Sequence, residues 1–406
     1  MEKLKLSKLL DNFGDGIHGT PIYDNDGNYF FVNGNNIRNG KVVIDKETPR
    51  INDKEYTKIK RNLTSNTILV SINGTLGSIG LYNGEKIALG KSIAFLNLKN
   101  DVNKHYIRYI LETKEFKKYI ELVSHGSTIK NLAPSQIADF LIPKHEKKYQ
   151  DHIVINLKSI DDKIEINNQI NQSIENFIEY IYEYWFVQFD FPNSEGKPYK
   201  SSGGKMVWND EYKSEVPEKW LTSNLYENKL TDIIQPGVVY FNSKNYLATA
   251  NVVDSNIKDG DWVTFENRES RANMQPVENS VWFAKMKNSI KHITITDADN
   301  WILNKYIFST GFFGLKCTPE ALGYMHSIIN SNQFEFIKNR LAHGATQEAV
   351  NNNDLKSMNI IVPSTDILLK YNRIVLPLIK KMNNNRYEND QLTRLKDFLL
   401  PILMNN

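Results

Sequence analysis

One stretch of the chain repeats its apolar positions with unusual regularity. Ile153, Leu157, Ile160, Ile164, Asn167, Asn171, Ile174, Ile178, Ile181 and Trp185 follow one another at alternating steps of four and three. That spacing is a heptad seam and predicts a long helix pairing with another helix. At ~1.5 Å per residue the seam spans roughly 50 Å. Its two central asparagines weaken a coiled coil but fix its register and partner number. A second seam is predicted through Ile374, Leu378, Lys381, Asn385, Glu388, Leu392, Leu395, Leu399 and Ile402. Pro377 falls inside it and predicts a kink or restart.

Ahead of each seam the period changes. Asn28–Val32, Thr67–Ile72 and Ser92–Leu96 read as strands, and the first two run into Asn33-Gly34 and Asn73-Gly74. Asx-Gly pairs supply the positive backbone angles of tight turns. Tyr106, Ile107, Ile110, Leu111 and Phe116 lie at roughly helical spacing and predict one helix over 103–120. Much of this recurs. His125-Gly126-Ser127-Thr128 returns 218 residues later as His343-Gly344-Ala345-Thr346, and the same offset carries Tyr106, Ile110 and Phe116 to Tyr324, Ile328 and Phe334. Asn245–Val252 resembles Tyr29–Ile37, and Asn279–Ala284 resembles Asn66–Ser71. Each half closes on an apolar run ending in proline, at Pro143 and Pro363. A repeat this long is a duplicated domain. The predicted fold is α+β: two sheet-containing domains in pseudo-two-fold repeat, separated by two long antiparallel coiled-coil helices. The expected boundaries are 1–145 and 217–363 for the domains, 146–190 and 364–406 for the helices, and 191–216, rich in Pro, Gly and Ser, for a linker.

Composition narrows the chemistry. Each half of the 406 residues is long enough to bury its own core. A single cysteine, Cys317, excludes an intramolecular disulfide and a cysteine-based metal site. Without a long apolar run for a membrane span or a signal peptide, a cytoplasmic protein is expected. The net charge of +3 is weakly basic, so any nucleic-acid footprint must be local. Gly74–Gly80 lacks the lysine of a phosphate loop and reads as a tight turn. Glu112-Thr113-Lys114, with Asp101, looks like a nuclease carboxylate-lysine arrangement, but its helical setting favours a solvated helix face. No methyltransferase, Walker or nucleophile-elbow motif occurs in the sequence.

The order of parts resembles one family, the specificity subunit of type I restriction-modification systems. The resemblance rests on Leu157–Ile164, Glu183-Tyr184-Trp185-Phe186, Val216-Pro217-Glu218-Lys219-Trp220 and Leu395–Leu403, in that order along the chain. The first half has only Met1-Glu2-Lys3-Leu4 where the second opens on Pro217 and Trp220. The resemblance implies a non-catalytic protein that reads a bipartite, asymmetric target in double-stranded DNA through two target-recognition domains. It implies two modification subunits docked on the helices, with restriction subunits beside them. S-adenosylmethionine, ATP and Mg are then expected on those partners and none on this chain. A coiled-coil scaffold whose globules bind peptides or sugars is the alternative reading.

Candidate DNA contacts follow from side-chain type. Asn bonds adenine and Arg bonds guanine through two atoms each, and small polar residues reach phosphate. The candidates are Asn33, Asn35, Asn36, Ser71, Asn73, Thr75, Lys91, Ser127, Thr128 and Lys130 in the first half. In the second they are Asn251, Arg268, Arg271, Asn273, Lys285, Lys287, Asn288 and Lys291. Ordinary polar loops and solvated lysines are the competing explanation in an Asn-rich chain. The candidate partner-binding residues are Ile164, Ile174, Ile178, Trp185 and Phe186 with Leu392, Leu395 and Leu399, because apolar exposure at a helix end marks an interface.

Overall fold

A computed structural model describes residues 2–124, 131–253 and 255–405. The fold is mixed α and β, with several sheets and a long C-terminal helix. The chain divides into two compact units: residues 1–164 with 391–406, and residues 165–390. Both divisions fall inside long helices, Lys147–Tyr182 and Thr365–Asn405, so each helix contributes to both units.

In the first unit a six-stranded sheet runs in the order Leu10–Asp15, Ile93–Leu98, Thr67–Ser71, Ile79–Leu81, Gly40–Val42, Ile37–Arg38. The central strand Thr67–Ser71 is buried at every position, which is why it reads as a continuous apolar run. A smaller sheet pairs Tyr29–Val32 antiparallel with Arg50–Ile51 and parallel with Ile87–Leu89. The opening strand, Lys3–Lys5, pairs antiparallel with Leu141–Pro143 just ahead of the long helix, placing Leu4 opposite Ile142. The core gathers Ile68, Val70, Leu96, Tyr106, Ile110 and Phe116 from the domain, Ile153 and Leu157 from the first long helix, and Leu400 and Met404 from the second.

The single helix expected over 103–120 is two, Lys104–Glu112 and Lys114–Val123. Thr113 separates them in an extended conformation. Its hydroxyl donates to the Ile110 carbonyl and accepts from the Phe116 N–H, ending one helix and capping the next. Glu112 does not sit on a solvated face. It pairs with Arg108 at 2.7 Å and Lys396 at 2.9 Å, while Asp161 takes Arg108, Lys396 and the Tyr109 hydroxyl. This partly buried network of two cations and two anions ties both long helices to the domain.

In the second unit one four-stranded sheet runs Thr231–Ile233, Phe312–Cys317, Ser280–Ala284, His292–Ile295. Another four-stranded sheet joins Lys244–Leu247 antiparallel to Trp262–Val263 and parallel to Tyr306–Ser309, which pairs antiparallel with Ala272–Met274. Leu221–Asn224 pairs antiparallel with Asn359–Val362 just before the second long helix.

Residues 191–216 are not a linker. Met206–Asn209 and Ser214–Pro217 form a hairpin. Phe191 is buried, stacked against Tyr199 at 4.6 Å and Trp220 at 4.8 Å. Asp190 accepts from the Ser201 N–H and hydroxyl, which holds its carboxyl below the usual range against the opposing effect of burial.

The first seam stands as its spacing predicts. Ile153 and Leu157 are fully buried, Asn167 and Asn171 are buried, and Ile164, Ile174 and Ile181 are half-buried. The second seam is shifted. Its buried positions are Leu368, Tyr371, Val375, Ile379, Met382 and Asn385, then Leu400 and Met404, while Ile374 is 40% exposed. The helix continues through Pro377, whose side chain is exposed. Among the described residues no helix is long and apolar enough to cross a membrane.

Candidate nucleic-acid interface

In the first unit three segments distant in sequence meet. Gly34 opens a 3-10 turn, Gly34–Asn36, and its N–H donates to the Ser92 hydroxyl at 2.8 Å. A Cβ on Gly34 would lie 3.3 Å from the Asn73 carbonyl and 3.4 Å from the Ser71 Cβ. The Asn33–Asn36 turn, the Ser71–Thr75 turn and Lys91-Ser92 therefore share one surface. Asn131, at the far side of residues 125–130, bridges to Asn73.

The side chains on this surface divide by job. Asn36 donates to the Val43 carbonyl and Thr48 hydroxyl and accepts from the Asn33 N–H, so it closes its own turn. Ser71 is fully buried. Its hydroxyl accepts from the Ser78 N–H and donates to the Thr75 carbonyl, placing it in the turn and away from any surface. Asn33, Asn35, Thr75 and Lys91 are exposed, and Asn73 is half-buried. Ser127, Thr128 and Lys130, with His125, lie outside the described residues.

The second unit assembles a comparable surface around Gly311. The Lys285 N–H donates to the Gly311 carbonyl, the Thr310 N–H donates to the Arg271 carbonyl, and Lys291 Nζ donates to the Thr249 carbonyl. Asn251 caps its own turn through the Ala248 N–H at 3.1 Å, much as Asn36 does. The expected basic patch is largely engaged. Lys287 pairs with Glu348 at 2.9 Å, and Lys285 lies 4.3 Å over the Phe313 ring, where burial holds its ammonium below the usual lysine range. Asn288 takes a positive φ of 55° and donates its N–H to Asn339. Arg268 stacks 4.2 Å over the Phe265 ring and donates to the Phe265 carbonyl. Arg271 is exposed and Asn273 half-buried.

The partner-binding expectation needs the larger correction. Ile178, Trp185 and Phe186 are 3%, 6% and 4% exposed and belong to the core of the second unit. Phe186 meets Tyr324 at 4.5 Å and Tyr371 at 4.8 Å, and Trp185 lies 5.5 Å from Tyr371. The aromatic cluster is a helix junction because Glu183–Val187 winds into a π-turn that folds these rings inward. Ile164 and Ile174 are half-buried in the seam, as are Leu392 and Leu399; Leu395 is exposed. The free apolar face of the first helix lies elsewhere. Ile166, Gln169, Ile170, Ser173, Ile174 and Phe177 line an open groove of about 380 Å³, with Ile166 and Phe177 half exposed. The signal for it was a second set of apolar residues one step out of phase with the seam. Among the described residues no cluster of His, Cys, Asp and Glu is arranged to hold a metal ion.

Residues 19–176 match the family described as the type I restriction modification DNA specificity domain. The MjaIX specificity subunit of Methanocaldococcus jannaschii is 24% identical over 375 residues, covering 89% of this chain and 82% of the relative. The HindI specificity subunit of Haemophilus influenzae is 21% identical, covering 75% and 78%. The crystal structure of a type I system S subunit from M. genitalium shares the fold with a TM-score of 0.53 at 16% identity, covering 99% of this chain and 96% of that one. Residues 19–176 thus match the DNA specificity domain of type I restriction-modification systems, and the chain is similar along most of its length to two specificity subunits of such systems.

Proposed function

We propose that this chain is the non-catalytic subunit that reads the DNA target of a type I restriction-modification complex. The observation that carries the reading is the match of residues 19–176 to the DNA specificity domain, on the segment that builds the loop surface of the first unit. Each unit reads one half of a bipartite target in duplex DNA. A duplicated architecture is supported by element order. Each half has an opening strand paired with the strand before its long helix, a parallel strand pair in a second sheet, and an Asn-capped 3-10 turn on its candidate surface. The target is asymmetric because the two surfaces differ: amides and a lysine in the first, arginines and a partly neutralised lysine group in the second.

The modification subunits dock on the open groove of the first long helix, whose exposed residues include Ile166 and Phe177, and not on the buried seam. S-adenosylmethionine, ATP and Mg belong to those partners and to restriction subunits. The test is co-expression with type I modification subunits from the same organism, followed by genome-wide mapping of methylated adenine. One split motif with a fixed spacer, lost on deletion of this chain, supports the reading. Methylation that does not depend on the chain, with competent partners present, overturns it.

A further inference from the structure

Each unit carries an exposed aliphatic–tyrosine pair in the loop that precedes a strand of its parallel strand pair, Tyr29–Val32 in the first and Lys244–Leu247 in the second. In the first unit the pair is Ile22-Tyr23, 67% and 48% exposed. In the second it is Val239-Tyr240, both 68% exposed. Single exposed apolar residues are ordinary. Two adjacent ones at the same place in both units are not.

Both loops are built to hold the pair outward. Pro21 before the first pair is buried, the Ile22 N–H donates to Glu55, and the Asp24 N–H donates to the Arg50 carbonyl at 2.9 Å. Around the second pair, Val238 is half-buried, Phe241 is buried, and the Gly237 N–H donates to the Asn273 carbonyl at 2.8 Å. Gly237 takes a φ of 150°, which favours glycine. A pair fixed in this way loses little freedom when it makes a contact.

Both pairs also adjoin the candidate DNA surface. The Tyr23 ring meets Phe31 edge-on at 6.1 Å, and Phe31 reaches Gly90, beside Lys91. The Tyr240 ring lies 5.5 Å from Phe265, on which Arg268 stacks, and Gly237 is bonded to Asn273, two residues from exposed Arg271. Arg50 is likewise exposed beside the first pair. Ile22-Tyr23 has Arg50 beside it together with the carboxylates of Asp24 and Glu55, and Val239-Tyr240 lies near Arg268 and Asn273; the apolar group that such tips can meet on DNA base edges is the thymine methyl in the major groove.

We propose that Ile22-Tyr23 and Val239-Tyr240 are apolar base-reading pairs, each contacting thymine methyl groups in one half of the DNA target. The proposal rests on the DNA-reading function above and adds residues that amide and guanidinium chemistry does not point to.

The test uses the chain assembled with its modification subunits and selects binding sites from a pool of random duplexes. The selected duplex is then remade with each thymine replaced by deoxyuridine, which removes only the methyl group. The wild-type complex should lose about fourfold in affinity at one or two thymines of each half, the equivalent of one buried carbon at about 0.8 kcal/mol. Ile22→Ala with Tyr23→Ala should abolish that sensitivity in one half only, and Val239→Ala with Tyr240→Ala in the other. The salt dependence of binding should stay unchanged, since no phosphate contact is removed. Both pairs are exposed, so truncation leaves the cores intact. Uracil substitution without effect on the wild type, or sensitivity retained in both variants, overturns the proposal. A wild-type complex that selects no sequence at all overturns the DNA-reading function itself.

Discussion

Ser71 shows how a polar residue in a promising loop can belong to the fold instead. Its hydroxyl takes the Ser78 N–H at 2.8 Å inside a turn with no solvent access. Ser71→Ala leaves that N–H without its acceptor, at about 1–2 kcal/mol. Denaturant unfolding should show the loss, with sequence preference unchanged. A change of preference at full stability would make Ser71 a reading residue after all. His326 makes the same point through pH. It is buried, hydrogen-bonded to Thr294 at 2.8 Å, and pushed down to about 3 by burial, with the charges of Arg386 and His292 acting the same way. The unfolded chain takes up this proton near 6.5, so between those values the unfolded state binds more protons. The stability at stake is complete above pH 6.5 and drains away as pH falls toward 3, on the order of a few kcal/mol. Melting temperature against pH should therefore fall across this window. His326→Gln should flatten the slope, and an unaltered slope would show that other groups set it.

The elements differ in how plainly the sequence announces them. The first seam is legible because isoleucines occupy one phase of the heptad almost without interruption. In the second helix apolar residues occupy two phases, and the one that packs, Val375, Ile379 and Met382, holds fewer conspicuous leucines than the exposed one. Residues 191–216 read as a linker because Pro, Gly and Ser also fill tight turns, yet Phe191 packs on Tyr199 and Trp220. The candidate surfaces were legible as loops but not as functions. Whether Asn36 faces DNA or its own backbone depends on contacts with Val43 and Thr48 that no spacing encodes. The central asparagines of the helix pair carry a prediction. Asn385 donates to Asn171 at 2.8 Å, Asn171 donates to the Met382 carbonyl, and the Asn385 carbonyl oxygen is buried without a partner. Asn171→Leu alone should destabilise by about 1–3 kcal/mol, since it strands the Asn385 amide. Asn171→Leu with Asn385→Leu should recover most of that loss while weakening control of register and partner number. Thermal melts and light scattering on the three variants measure both effects, and additive losses would mean that the two amides act independently.

At the scale of the molecule, the helices become a question of length. Within the second unit Asn167 bonds Glu388 and Asn389, Asn171 bonds Asn385, and Glu175 pairs with Arg386 at 2.8 Å, so the two helices run antiparallel there. Within the first unit Asp161 meets Lys396 and Tyr149 meets Leu403 in the same antiparallel sense. If this pair sets the distance between the two half-sites, then adding seven residues to both helices at matched positions lengthens it without changing which faces meet, because seven residues restore the heptad phase. The added rise is about 10 Å, close to three base pairs at ~3.4 Å each. The preferred spacer should widen by about that amount while both half-site sequences stay as they were. Inserting seven residues in one helix alone should put the seams out of step and cost stability. Adenine methylation mapped in cells carrying the double insertion reads the spacer directly. A spacer that kept its original length would mean that the helix pair does not set it.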